Sequence, residues 1–133
     1  MKVTTRYSSD YEYKASTEDG RIVNIDMKPE GKLHLSPMEL VLSALSGCIA
    51  VEIALMVPKR RKTVHDLIIE AEGTRKEENP RGFTDIKLKF LLISPDATVE
   101  ELEKITALSL EKYCSVADSL QPEISIECEV KRS

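Results

Sequence analysis

The sequence has no excess of positive charge, few cysteines and few histidines, and each shortage narrows what the chain can do. Net charge is −4 at pH 7, with a pI near 5.3, whereas a nucleic-acid binder usually carries a basic balance. The one basic run, Lys59-Arg60-Arg61-Lys62, is short enough to be a solvated loop. The three cysteines, Cys48, Cys114 and Cys128, are an odd set at wide spacing, too sparse for a disulfide scaffold. Reduced thiols in a cytoplasmic protein are therefore expected. The two histidines, His34 and His65, lie far from any cysteine in sequence. With no CxxC or HxxxH spacing, no metal site is expected, nor any other cofactor. The opening segment, MKVTTRYSSDYEY, has no apolar region of the kind a secretory signal needs.

What is present suits a water-soluble globular chain. Charged residues make up 32% and the hydrophobic set 41% of 133 residues, the composition of one domain, 1–133, with a modest core. Three strands are expected first, over 2–8, 11–17 and 21–27, separated by Ser-Ser-Asp and Glu-Asp-Gly turns. Val23, Ile25 and Met27 alternate with Asn24 and Asp26, which predicts one buried face. Ser36, Pro37 and Glu39 form a capping box with proline at the first helical position. A helix should run from there to the residue before Pro58. Strands over 67–72 and 84–93 then read as a hairpin about the Glu-Glu-Asn-Pro-Arg-Gly turn. Thr98 and Glu101 begin a second helix that ends near Tyr113. Ser115 and Asp118 suggest a short further turn. In the last strand, 123–130, Ile124, Ile126, Cys128 and Val130 alternate with Ser125, Glu127 and Glu129. The order β-β-β-α-β-β-α-β defines an α+β fold.

The first helix is apolar almost all the way round. It passes for a membrane span by hydropathy, yet Glu52 sits inside it, and a central charge costs about 2.5–3.5 kcal/mol on insertion scales. The run is also at the short limit for a span, and the rest of the chain is patterned for a water-soluble core. No membrane association is expected. A soluble helix of this kind must be covered on every side, which is hard for a chain this short. Ser43, Gly47, Ala50 and Ala54 add a stripe of small residues that permits close helix approach. A homodimer that buries this helix is the expectation, with an ordinary monomeric core as the alternative.

Among the cysteines, Cys128 occupies an inward strand position as Val or Ile would, and spacing alone would make Cys48 core too. Cys114 stands where a new helical turn starts, a place that favours thiolate. The motifs SPMELVLSALSGC (36–48) and YCSVADSL (113–120), with the order of elements around them, resemble the OsmC-like family of osmotically inducible and organic-hydroperoxide-resistance proteins. The resemblance implies an intertwined homodimer with a central buried helix. It implies a peroxidatic cysteine at Cys48 and a resolving cysteine at Cys114, reduction of organic hydroperoxides in oxidative-stress defence, and recycling by an external dithiol.

The chain departs from that family's peroxidase pattern. The hydroperoxide reductases carry a glutamate directly after the motif proline, paired with an activating arginine from the N-terminal strands. Here Met38 follows Pro37, Glu39 comes one place later, and the arginine's place holds Glu18. Arg21 and Glu39 are the candidate replacements. A second reading is therefore a non-catalytic dimer that binds a small apolar ligand or acts as a redox sensor.

Overall fold

In the computed structural model, which describes residues 1–133, the N-terminal strands form where the turn chemistry places them. β1 (Thr4–Ser9), β2 (Glu12–Ser16) and β3 (Ile22–Asp26) make an antiparallel sheet in the order β1-β2-β3. They belong to the first of two compact units, Met1–Val41 and Leu42–Ser133.

The buried face expected of β3 does not form on this chain: Ile25 is only half-buried, as Asn24 is. Val23 and Met27 are 42% and 48% exposed, while Asp26 is fully buried. The reason is a local clamp. The Asp26 carboxylate accepts the backbone N–H of Lys28 and of Leu33, each at 2.9 Å, and its own N–H donates to the Leu35 carbonyl at 3.0 Å. The 27–35 loop is thereby folded back over the carboxylate. The Lys28 and then the Leu33 amide hold the Asp26 carboxyl below its usual range.

Helix α1 (Pro37–Lys59) starts at the expected box. The Glu39 N–H donates to Ser36 Oγ at 3.3 Å, and the Ser36 N–H donates to Glu39 Oε1 at 3.0 Å. It ends later than expected, with Pro58 inside its last turn. The chain closes there by bonds that do not need the missing proline N–H. Arg61 N–H donates to the Pro58 carbonyl and Lys62 N–H to the Val57 carbonyl, with Arg61 left-handed at φ 61°. This is a Schellman closure with arginine where glycine is usual. Arg61→Gly should raise stability by about 0.5–1 kcal/mol, since a side chain in the left-handed region costs about that much more than its entropy returns. Urea unfolding checks it, and a fall in midpoint would show that the Arg61 side chain has a stabilising contact.

In the second unit, β4 (Asp66–Arg75) pairs antiparallel with β5 (Phe83–Ile93), and β5 pairs in parallel with β6 (Glu123–Lys131). The parallel pair needs a crossover. It is supplied by α2 (Val99–Leu108), a π-helical turn over Ser109–Tyr113, and a short α3 (Ser115–Asp118). α2 opens with the expected Thr98/Glu101 capping box. Alternation along β5 holds, with Ile86, Leu88, Phe90 and Leu92 all fully buried. They pack with Leu102 and Ile105 of α2 and with one stripe of α1, Leu45, Ile49, Ile53 and Val57.

That stripe is the only fully buried part of α1. Ser43, Ala44, Gly47, Val51, Ala54 and Leu55 are exposed on this chain. By length and composition α1 is apolar enough to cross a membrane. Its buried stripe, however, joins the core cluster of the second unit, so the helix serves as that unit's core helix.

Candidate functional site: two reduced thiols

α1 carries Cys48 on the edge of its buried stripe, half-buried, one residue before fully buried Ile49. Cys114 reaches the same place from the other side of the core, by way of the π-helical turn. Its N–H donates to the Ser109 carbonyl at 2.7 Å, the longer-range bond that defines a π turn. Such turns behave as an inserted residue in an α-helix and are frequent at functional sites. Cys114 then leaves the helical region at φ −80°, ψ 99° and caps α3 itself. Its Sγ accepts the Ala117 N–H at 3.4 Å. The short helix is therefore capped one residue earlier than Ser115, the expected position.

None of the three cysteines is in a disulfide. Cys48 is among the groups that act on the Cys114 thiol, so the two side chains are neighbours. Cys114 is only 3% exposed. Burial pushes its thiol above the ordinary value, and the Cys48 sulfur pushes the same way. The Ala117 and Val116 amides pull against them. No lysine or arginine is among the groups that act on the Cys114 thiol. Two adjacent thiols of this kind can pass between a dithiol and a disulfide without large backbone movement, provided their Cβ atoms also approach.

The two candidate activating residues are engaged locally. Arg21 Nε pairs with Asp19 Oδ1 at 3.1 Å on an exposed turn. Glu39 sits in the first turn of α1, where the Ser36 N–H holds its carboxyl below the usual range. Cys128 keeps to the sheet: its Sγ lies 3.5 Å from Thr106 Oγ1, and burial raises its thiol against the pull of that hydroxyl. No group of three or more His, Cys, Asp and Glu side chains is placed to hold a metal ion.

Sequence reasoning did not find Ser109. Its hydroxyl is buried without a hydrogen-bond partner, in the turn that delivers Cys114, and no spacing or propensity signal marks it.

A model of the OsmC-like protein family matches residues 29–129, and the chain belongs to that family. It is 40% identical over 91 residues to protein YhfA of Escherichia coli K12, covering 68% of each chain. A crystal structure of a hypothetical protein from Aquifex aeolicus VF5 superposes with a TM-score of 0.87 at 29% identity, covering 99% of this chain and 96% of that one. The organic hydroperoxide resistance protein OhrB of Bacillus subtilis shares the fold, with a TM-score of 0.64 at 18% identity over 98% of this chain and 96% of its own.

Proposed function

We propose that the chain is a thiol-dependent peroxidase that reduces organic hydroperoxides, with Cys48 as the peroxidatic and Cys114 as the resolving residue. The observation that carries this reading is the pairing of two reduced thiols delivered from separate elements. Organic hydroperoxide resistance proteins of the same fold lend it support. The Cys48 sulfur attacks the outer oxygen of ROOH, the O–O bond breaks, and ROH leaves. The resulting sulfenic acid condenses with the Cys114 thiol, releasing water and forming a disulfide. An external dithiol restores both thiols by exchange. The working unit is a homodimer in the cytoplasm, where thiols are kept reduced. The outward Val51, Leu55 and small-residue face of α1 is the surface a second copy would cover.

A second reading has its own support. No cation is among the main groups that act on the Cys114 thiol, and the candidate activating side chains are already engaged. A dimer that binds a small apolar ligand, or senses oxidants slowly, would need no activation.

The test is direct. The fully reduced protein, given cumene or tert-butyl hydroperoxide, should consume oxidant and form a Cys48–Cys114 disulfide, while Cys48→Ser should consume none. If the wild-type protein consumes no hydroperoxide and Cys48 stays reduced, the ligand-binding reading replaces the peroxidase.

A further inference from the structure

Glu52 is the one charged side chain between Leu40 and Pro58, and packing gives it no role. It forms none of the chain's salt bridges. Its carboxylate takes part in no side-chain hydrogen bond. On this chain the carboxylate is half-buried and unpaired, so it is free to serve another group. Its position is specific. Cys48, Glu52 and Met56 form a half-buried stripe one turn apart, alongside the buried stripe Leu45, Ile49, Ile53 and Val57.

Residues four apart on a helix are surface neighbours, with Cβ atoms about 5–6 Å apart. Helical side chains also lean toward the N-terminus, onto the residue one turn before. By that geometry Glu52 shares a helix face with Cys48, one turn on, at the edge of the core that holds Cys114.

We propose that Glu52 is the proton carrier for Cys48, standing in for the cation-based activation that this chain lacks at the family's usual positions. The inference rests on the peroxidase reading above. The Cys48 thiol proton passes to the Glu52 carboxylate as the sulfur lone pair attacks the outer oxygen of ROOH. The S–O bond forms and the O–O bond breaks. The departing alkoxide takes the proton back from Glu52 and leaves as ROH. Cysteine is oxidised by two electrons to the sulfenic acid, the peroxide is reduced by two, and Glu52 returns to its starting state. A positioned carboxylate serves both halves of the step, removing a proton from the nucleophile and supplying one to the leaving group. Such groups contribute about 10²–10⁴-fold.

The experiment compares single oxidation of reduced protein by cumene hydroperoxide in wild type, Glu52→Gln and Glu52→Asp, across pH. Glu52→Gln keeps size and shape, so its urea midpoint should match or exceed wild type. At neutral pH its oxidation should slow by about 10²-fold or more. The gap should narrow as pH rises, because hydroxide then removes the thiol proton. Glu52→Asp, a carboxylate one carbon shorter, should recover part of the rate. A Glu52→Gln rate within about threefold of wild type, well under that range, would overturn the shuttle and leave the peroxidase reading standing. So would a deficit that is the same at every pH. A wild-type protein inert to hydroperoxide would overturn both readings together.

Discussion

Cys114→Ser should leave the fold intact and stop hydroperoxide reduction after a single oxidation. The fold survives because serine is a better helix N-cap than cysteine, so its hydroxyl can take over the Ala117 N–H that Cys114 Sγ accepts at 3.4 Å. The chemistry does not survive. Cys48 still attacks the first equivalent of oxidant, but no second sulfur stands beside it to displace water from the sulfenic acid. Intact-protein mass should rise by one oxygen and, with excess oxidant, by a second as the sulfinic acid forms. Wild-type protein should instead lose two hydrogens. Disulfide formation in the wild type should speed up with rising pH, because burial and the Cys48 sulfur hold the Cys114 thiol above its ordinary value and only the thiolate attacks. A Cys114→Ser variant that turns over repeatedly at the wild-type rate would remove Cys114 from the mechanism.

Phe90→Ala should cost about 3–5 kcal/mol, the range for emptying a buried aromatic site. That is a large share of the roughly 5–15 kcal/mol that holds a typical domain together. Phe90 is fully buried in the middle of the central strand β5. It stands opposite Ile69 of β4 and Cys128 of β6, so all three strands meet around its ring. The neighbours belong to a sheet and cannot collapse far into the space left behind. Urea unfolding of the reduced protein measures the loss. A change below about 1 kcal/mol, well short of that range, would show that the ring is not the centre of the core.

Where one face of an element meets one environment, the sequence was easy to read. β5 alternates with period two, and every position expected inside is inside. Both capping boxes form. The failures share a cause: bonds made by backbone groups that residue type does not announce. Val23, Ile25 and Met27 alternate cleanly with Asn24 and Asp26, yet a carboxylate reaching the Leu33 amide buries Asp26 while Val23 and Met27 stay exposed. Pro58 signals a helix stop, but the helix ends one residue later, in a closure whose bonds to the Val57 and Pro58 carbonyls need no proline N–H. Ser115 is the better capping residue by type, and Cys114 takes the cap because the π turn sets it down one place earlier.

The candidate site was legible in part for a similar reason. Cys48 and Cys114 stand in motifs long enough to be recognised, and their meeting follows from the fold those motifs belong to. Glu39 and Arg21 satisfy local demands first, which short-range spacing does indicate. Ser109 stayed hidden because an orphaned hydroxyl is a property of its surroundings and not of its neighbours in the chain.

The π turn at Ser109–Tyr113 also bears on how such chains diverge. It holds one residue more than an α-helical turn would, and each helical residue turns the chain by about 100°. A one-codon deletion in that stretch would let the helix continue in α form with the following residue at nearly the same orientation, because the wide turn and an ordinary α turn each complete about one revolution. The wide turn can thus be gained or lost by a single in-frame indel while the thiol keeps the face it presents.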